Sequence, residues 1–293
     1  MLGVVVVAYK SAQMTIDFVK RERGNIDVPC ILCIVDNASV EEECEYMAES
    51  LQAEVVDEEL CVKDKDNGIY IIPSKENLGF ARGNNLGVTF LKRNFDIDYL
   101  LFSNNDIEIR SRNCVSTLIQ RLKEDERIGA IGPRIVSLDG SYQLPHDAPV
   151  SIYRQIGWML FPFLRKRHQK ETATVPKAQE IPPSKFTYWV QGSFFVMSAK
   201  VFLEVGMFDP NTFLYAEEPI LAEKLKRIGK RMYYESSVEV LHYEGGTIVK
   251  QNGNNWSLTK AMESNCYYYK HYLHYNIVAI SLYKWLFSIQ NRL

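Results

Sequence analysis

The sequence contains little that points to secretion, membrane insertion or nucleic-acid binding. No apolar run approaches the roughly 20 residues that a membrane-spanning helix needs. We expect no signal peptide, because no basic segment precedes the valines at residues 4–7. The net charge is only −2, which argues against nucleic acid as a partner. Cys30 and Cys33 lie on a predicted strand, where side chains three residues apart point to opposite faces. A reducing, cytoplasmic location therefore fits the cysteines best.

Two further absences narrow the class of protein. The first predicted strand is followed by Tyr9, Lys10 and Ser11 rather than by GxGxxG, which argues against a dinucleotide-dependent dehydrogenase. We find no internal repeat and no low-complexity segment. The 293 residues, 46% of them hydrophobic, are enough for one large α/β domain, alone or with a small appendage.

Short β-type runs alternate with amphipathic stretches in the first half, which is typical of a parallel sheet with crossover helices. The predicted strands cover residues 3–8, 30–35, 69–73 and 99–103, and the predicted helices cover residues 14–23, 41–51 and 79–93. Prolines interrupt the pattern over residues 139–185, which we interpret as an irregular excursion. A helix near residues 217–228 and strands near 231–234 and 238–242 follow, and the aromatic-rich chain after residue 250 is expected to be helical.

Polar residues directly follow three of the predicted strands. Tyr9 follows the first strand, Asp36 the second, and Asn105 and Asp106 the last. Because ligands bind at the carboxyl ends of strands in open α/β sheets, we expect one shared crevice. Asp36 could accept a hydrogen bond from a base or a ribose, or it could serve only in a turn or a helix cap. Asp106 could bind Mg²⁺ or Mn²⁺ together with substrate phosphates, or it could lie in a turn.

Glycines recur every fourth residue at the start of the third predicted helix, at Gly79, Gly83 and Gly87. A ligand or a neighbouring element could approach this bare face closely, and for the glycines alone we favour packing. Arg82 lies in the first turn, where it could face phosphates together with free backbone N–H groups.

Carboxylates and one histidine complete the candidate groups. Glu217 and Glu218 open a predicted helix, where acidic residues suit the helix dipole. An ionised Glu there could also take the proton from an attacking hydroxyl. His242 ends a predicted strand before a pair of glycines. A lone His is more often structural, but at this position it could reach a metal or a phosphate.

Taken in order, these motifs resemble family 2 glycosyltransferases of the GT-A fold, in particular the rhamnosyltransferase-like branch. The motifs are VVAYKS at residues 6–11, VDNAS at 35–39, NLGFARGNN at 77–85, SNND at 103–106, VQGSF at 190–194, the segment 208–218, and HYEGGT at 242–247. The resemblance implies a Rossmann-like mixed sheet flanked by helices over residues 1–250. Residues 1–110 would form the nucleotide-binding half, 186–250 the acceptor half, and 251–293 a helical extension.

The resemblance also implies a role for individual residues. The nucleotide-sugar contacts would come from Ala8, Tyr9, Asp36, Asn77, Gly79, Arg82, Asn105, Gln191 and Gly192. A divalent cation, Mg²⁺ or Mn²⁺, would bind Asp106 with His242 as a further ligand, although Asn104 replaces the first acid of the family's DxD motif. Glu218, next to Glu217, would be the catalytic base at a position where Asp is more usual.

The implied activity is inverting transfer of a sugar from a dTDP- or UDP-sugar to a glycan or lipid-linked acceptor in cell-surface polysaccharide synthesis. The alternative is a non-catalytic glycan-binding or scaffold subunit of an assembly complex. We also predict peripheral contact with the cytoplasmic face of a membrane through Trp158, Phe161 and Phe163, the basic residues 165–167, and tail residues that include Tyr283 and Trp285. The other interpretation is that these segments pack on the catalytic domain or on a second subunit, as in a homodimer.

Overall fold

The computed structural model describes residues 1–163, 181–243 and 254–291. Within these residues the strands are Leu2–Ala8 (β1), Cys30–Asn37 (β2), Glu54–Val55 (β3), Ile69–Ser74 (β4), Tyr99–Ser103 (β5), Ile107–Ile109 (β6), Ile128–Ser137 (β7), Tyr142–Gln143 (β8), Lys185–Thr187 (β9), Phe194–Ser198 (β10) and Arg231–His242 (β11). The helices are Ala12–Glu22 (α1), Glu41–Leu51 (α2), Gly79–Asn94 (α3), Cys114–Glu124 (α4), Ile152–Leu160 (α5), Ala199–Glu204 (α6), Glu217–Arg227 (α7), Asn254–His271 (α8) and Ile277–Asn291 (α9).

The described strands form one mixed sheet in the order β3-β4-β2-β1-β5-β10-β7-β11-β6, with β8 beside β7 and β9 beside β11. The half from β3 to β5 is parallel. β10 then runs antiparallel to both of its neighbours, β5 and β7. This change of direction brings the start of β10 to the edge at which the parallel strands end, which is where open α/β sheets bind their ligands.

Apolar side chains cover both faces of the sheet. β1 consists largely of valine, whose β-branched side chain suits a strand buried on both sides. Val4 and Val6 contribute to the core beneath α1, α2 and α4, whereas Val5 contributes to the core beneath α3, α6 and α7. Cys30 and Cys33 likewise belong to opposite faces, and all six cysteines are free.

The predicted α/β class and the helical C-terminal tail are confirmed. All predicted strands and helices of the first half form, and they differ from the prediction by a few residues at their ends. Two predictions are wrong in detail. The two strands expected between residues 231 and 242 are one strand, β11, whose register shifts between Glu235 and Glu239. The excursion expected to be irregular contains β8 and α5.

The tail helices pack on the sheet domain through a third apolar core. Tyr268 and Tyr269 of α8 and Tyr283 of α9 lie there with residues of α5 and α7. The hydroxyls of two further tail tyrosines, at positions 267 and 272, donate to the carboxylate of Asp209. Tyr283 is only 2% exposed, so the prediction that it contacts a membrane is wrong, and packing explains its apolar character.

Other apolar side chains near the tail remain exposed. Phe161, Phe163 and Trp285 are 50%, 65% and 60% exposed. The basic residues 165–167, which the membrane prediction also uses, lie outside the described residues. In the part of the chain that the structure describes, no helix is both long and apolar enough to cross a bilayer.

Candidate active site

Three neighbouring parallel strands end at the same edge of the sheet, and polar residues follow each of them. Ala8 of β1 lies opposite Asp36 of β2, and Val6 of β1 lies opposite Ser103 of β5. The segments that follow these positions are therefore neighbours, as the sequence predicts. One edge carries the candidate nucleotide-binding residues and the candidate metal-binding segment.

β10 brings a second part of the chain to this edge. The Asn104 N–H donates to the Ser193 carbonyl at 2.8 Å, which continues the antiparallel pairing of β5 with β10. Gln191 and Gly192 precede this point and so lie beside the segment that carries Asp106. The side-chain amide of Gln191 donates to the carbonyl of Leu144, the residue directly after β8, at 3.1 Å.

The candidate base- and ribose-binding residues lie where β1 and β2 end. Asp36 is 1% exposed, and its Oδ1 accepts a hydrogen bond from Ser39 Oγ at 2.5 Å. Burial raises the pKa of the Asp36 carboxyl. Tyr9 is half-buried, with the Lys10 ammonium 5.4 Å from its ring centroid. Lys10 (φ 47°) and Ala38 (φ 69°) both adopt left-handed backbone conformations, a form of strain that clusters at functional sites.

An asparagine that the sequence analysis did not select holds this region together. The amide of Asn37 donates to Asn77 Oδ1 at 2.8 Å, and its oxygen accepts the Leu78 N–H at 2.7 Å. Asn77 Oδ1 also accepts the Gly79 N–H at 2.9 Å. Asn77 is thus engaged in fixing the start of α3. The signal for Asn37 in the sequence is a second polar residue directly after Asp36. The structure shows that this residue is only 1% exposed.

The glycines of α3 allow close packing within the protein. A Cβ atom at Gly79 would lie 2.0 Å from the Phe213 carbonyl oxygen, which accepts the Phe80 N–H at 2.9 Å. Gly83 and Gly87 face valine side chains of β1. Packing, the interpretation that the sequence favours for the glycines alone, accounts for all three positions.

Arg82 and Asn105 occupy different environments. Arg82 is exposed in the first turn of α3, with its guanidinium 3.6 Å from a Glu76 carboxylate oxygen. Its charge is thus accessible from solvent at the helix start. The amide nitrogen of Asn105 donates to both Ser11 Oγ and Thr15 Oγ1, each at 2.9 Å. These bonds tie the segment after β5 to the start of α1, so only the carbonyl oxygen of Asn105 is left for a ligand.

Asp106 and His242 lie in contact, although 136 positions separate them in the sequence. Asp106 Oδ1 is 3.2 Å from His242 Nε2, and both side chains are largely buried. The contact forms because β6, directly after Asp106, pairs with the end of β11. The amide of Gln143 lies against the other ring nitrogen, with its nitrogen 3.1 Å and its oxygen 3.3 Å from Nδ1. Gln143 is a second residue that the sequence analysis missed.

These two side chains fit a divalent cation. A carboxylate oxygen and an imidazole nitrogen 3.2 Å apart can ligate one ion together. In the tautomer with a free Nε2, His242 Nδ1–H donates to Gln143 Oε1, which is the outer-shell support that ligating histidines use. Among the described residues no group of three or more His, Cys, Asp or Glu side chains could hold a metal. The remaining ligands would therefore come from substrate oxygens or water, as is usual for Mg²⁺.

Glu218 lies at the start of α7, and the backbone of Gly192, shortly before β10, fixes its side chain. The Gly192 N–H donates to Glu218 Oε1 at 3.0 Å. Glu217 is more deeply buried, at 4% exposure, and its Oε1 has no hydrogen-bond partner among the described residues. The two neighbouring carboxyls therefore differ in their contacts, although they share the start of α7.

The environment of this pair favours proton uptake. Burial raises the pKa of Glu218, and burial together with the neighbouring charge of Glu218 raises the pKa of Glu217 well above its ordinary range. The Gly192 N–H can stabilise a charge on Glu218, whereas Glu217 Oε1 has no hydrogen-bond donor among the described residues, so a negative charge is better accommodated on Glu218. Tyr215 (φ 72°) and Ala216 (φ 67°), directly before the pair, are both left-handed, which concentrates backbone strain at the helix start.

The fold is of the GT-A type. A solved structure with this fold, GalNAc-T7 with UDP, GalNAc and Mn²⁺, matches 99% of this chain and 57% of its own at a TM-score of 0.60 and 14% identity. At that identity the likeness shows the fold alone.

The family described as Glycosyl transferase family 2 matches residues 3–178. The chain belongs to this family. It is 26% identical over 185 residues to N-acetylglucosaminyl-diphospho-decaprenol L-rhamnosyltransferase of Mycobacterium tuberculosis, which covers 60% of this chain and 59% of that protein. It is 26% identical over 168 residues to rhamnosyltransferase WbbL of Escherichia coli, which covers 56% of this chain and 61% of that protein. The chain thus spans about three-fifths of the length of these curated relatives.

Proposed function

We propose that this chain transfers a sugar from a nucleotide-diphosphate donor to an acceptor hydroxyl, with Glu218 as the catalytic base. The observation that carries the proposal is the Glu218 carboxylate, held by the Gly192 N–H at 3.0 Å beside the strand edge that bears Asp106 and His242. Family membership supports the same reaction class. The retention of these groups in one place argues against the alternative of a scaffold subunit with a decayed site.

The reaction is a single displacement with inversion at the anomeric carbon. The acceptor oxygen forms its bond to that carbon while the bond to the diphosphate oxygen breaks, and Glu218 takes the acceptor proton. A carboxyl with a raised pKa is a stronger base once it has ionised, which favours proton transfer in the transition state. Gly192 orients the carboxylate, and Glu217 stays neutral beside it. Correct positioning of the two reactants supplies much of the rate.

The donor would bind along the edge from β2 to β5. Asp36 and Tyr9 would contact the base and ribose, and Arg82 would face the diphosphate. Asp106 and His242 would hold Mg²⁺ or Mn²⁺, which neutralises charge on the leaving diphosphate when bound. The two relatives are named as rhamnosyltransferases, which favours rhamnose as the sugar that a dTDP- or UDP-linked donor supplies.

We propose that the acceptor is a glycan or a lipid-linked sugar of cell-surface polysaccharide synthesis. Residues 186–250 would form the acceptor half, next to the nucleotide-binding half at residues 1–110. Residues 251–293 would be an extension of the catalytic domain. The polar contacts of Asp209 with the tail tyrosines at 267 and 272 support an extension that packs permanently on this half.

Peripheral contact with an anionic membrane on the cytoplasmic side is part of the proposal. α5 and α9 pack in one core and leave apolar side chains exposed on their outer surfaces, among them Leu160 of α5 and Trp285 of α9. Each helix carries one basic residue, Arg154 or Lys284, and neither contains an acidic residue. Such a surface suits an anionic bilayer, where each basic residue contributes about 1 kcal/mol.

The test is a panel of nucleotide-diphosphate sugars, scored by thermal stabilisation with and without Mn²⁺. A donor at 100 times its dissociation constant should add roughly 2.7 kcal/mol to the free energy of unfolding. Slow hydrolysis of the same donor without an acceptor then identifies a catalyst. Stabilisation without hydrolysis or transfer would support the scaffold interpretation, and no stabilisation by any donor would contradict nucleotide-sugar binding.

A further inference from the structure

Gly192 has no side chain at a point where the protein leaves no room for one. A Cβ atom there would lie 2.3 Å from Glu218 Oε1, 2.9 Å from its Cδ and 3.1 Å from its Cγ. Gly192 is not among the residues with left-handed backbone conformations. Its backbone therefore does not demand glycine, and the three atoms nearest to an added Cβ all belong to the Glu218 side chain.

The same oxygen that excludes a side chain at Gly192 also accepts its N–H. The 3.0 Å hydrogen bond ends on Glu218 Oε1, the atom that an added Cβ would meet first. Any substituent at position 192 would thus push the carboxylate away from its donor. An aspartate at position 218 would be one methylene shorter and would withdraw from that Cβ.

We propose that Gly192 is a positioning residue for Glu218, and that the missing side chain at 192 and the extra methylene at 218 form a size-matched pair. The longer carboxyl reaches the site only because position 192 is bare. This inference rests on the proposed function of Glu218 as the base. It goes further by making the identity of residue 192 depend on the length of the side chain at 218.

If the two positions are matched in size, a shorter acid at 218 should compensate for a side chain at 192. In Gly192→Ala the carboxylate is displaced by roughly 1 Å, and a displacement of that size can lower turnover on the order of 10²-fold. In Glu218→Asp the carboxylate stops short, and turnover also falls. In the double variant the alanine methyl fills the space that the shorter acid leaves, so kcat should exceed that of Gly192→Ala by about 10-fold.

The measurement is steady-state transfer by wild type, the two single variants and the double variant, with kcat and the donor KM obtained separately. Positioning predicts a loss in kcat with donor KM and Mn²⁺-dependent donor binding retained. Gly24→Ala is the matched control, because a Cβ there meets nothing within 4 Å, and it should match wild type. If Gly192→Ala does not fold, the comparison becomes Glu218→Asp against the double variant, where adding the alanine should not lower kcat.

The proposal is overturned if Gly192→Ala keeps wild-type kcat, or if the double variant is no better than Gly192→Ala and worse than Glu218→Asp. Failure of the proposed function has its own readout, the transfer rate of Glu218→Gln. If Glu218→Gln still transfers sugar at the wild-type rate, Glu218 is not the base, whatever the Gly192 series shows.

Discussion

At the scale of single residues, the two carboxyls at the start of α7 have different surroundings. Glu218 has a hydrogen-bond donor in Gly192 and faces the strand edge, whereas Glu217 is buried with an unpartnered Oε1 among the described residues. A neutral acid at 217 costs less than a charge there, because a buried charge without a partner is strongly unfavourable. A negative charge is therefore easier to accommodate on Glu218 than on Glu217.

The protonation of Glu217 should be visible in the stability of the protein. Its pKa is raised well above the ordinary value of about 4.3 by burial and by the Glu218 charge. The folded chain then holds a proton that the unfolded chain has lost, so the free energy of unfolding falls as the pH rises through this interval. Glu217→Gln cannot ionise at this position and does not lose stability in this way. The free energy of unfolding of the variant minus that of wild type should therefore increase by about 1.4 kcal/mol for each pH unit within the interval.

Urea unfolding of wild type and Glu217→Gln over about four pH units, from about pH 4 to about pH 8, measures this difference in the free energy of unfolding. Glu204→Gln is the control, because Glu204 is exposed in the same half of the chain. Parallel curves for wild type and Glu217→Gln would contradict a proton on Glu217.

A second prediction at this scale concerns cation binding. Gln143→Leu removes the amide that orients His242 and should weaken Mn²⁺ binding by about 10–100-fold, as outer-shell changes typically do. Asp106→Asn should weaken Mn²⁺-dependent donor binding far more than metal-free nucleotide binding. Calorimetric titration of Mn²⁺ with a nucleoside diphosphate measures both. Gln120→Leu on the exposed face of α4 is the control, and unchanged Mn²⁺ affinity in Gln143→Leu would contradict the cation site.

Sequence reasoning reached some of these residues and missed others for a physical reason. Asp106 and His242 follow or end apolar strands, so they could be chosen from pattern and resemblance. Asn37 and Gln143 act through amide groups whose partners are far away in the sequence. Nothing in the local pattern indicates where such an amide points.

At the scale of elements, the carbonyl of Phe213 connects the start of helix α3 with the segment that leads into α7. The Phe80 N–H donates to this carbonyl, and Gly79 lies so close that no side chain fits. The start of α3 and the start of α7 are thus fixed relative to each other. Movement of one would shift the candidate phosphate side and the candidate base together.

Gly79→Ala should therefore be costly. Its φ of +72° disfavours any side chain, and the new Cβ would meet the Phe213 carbonyl at 2.0 Å. We expect a loss of at least about 1–3 kcal/mol in the free energy of unfolding. Gly157→Ala in α5 is the matched control. Its Cβ meets nothing within 4 Å, and alanine in a helix should stabilise by about 0.5–1 kcal/mol. Denaturant unfolding measures the free energy of unfolding of both variants. Equal values for Gly79→Ala and Gly157→Ala would contradict the close contact of Gly79 with the Phe213 carbonyl.

The elements themselves were largely predictable, because β1, β2 and β5 are apolar runs bounded by polar turns. α5 was not, since the surrounding prolines suggested an irregular segment. Its helix is supported by Ile152 and Ile156, four residues apart, which bury against the tail. That support comes from residues more than 100 positions later, which a local pattern cannot reveal.

At the scale of the whole molecule, the tail has two surfaces. One packs on the catalytic domain through its tyrosines, and the other exposes Val278, Leu282, Trp285 and Ile289 at helical spacing along α9. The sequence could not separate these surfaces, because ten of the fifteen residues of this helix are apolar.

Co-sedimentation with vesicles tests the outer surface. Binding to anionic vesicles should be present at low salt, weaken as salt rises, and drop in Arg154→Ser with Lys284→Ser and in Trp285→Ser. Val40→Ser, at an exposed position directly before α2, is the control. Protein that stays in the supernatant at low salt would contradict membrane contact. A concentration-dependent dimer that Trp285→Ser abolishes would assign the surface to a second copy instead.

The most direct test of the whole account is the turnover of Glu218→Gln beside Glu217→Gln, measured with the donor that the stabilisation panel identifies. Glu218→Gln keeps the shape of the side chain but cannot accept a proton. Its turnover should fall by about 10²–10⁴-fold while donor binding stays intact. Glu217→Gln mimics the neutral acid and should retain most of its activity. Near-normal turnover in Glu218→Gln with an inactive Glu217→Gln would contradict the assignment of the base.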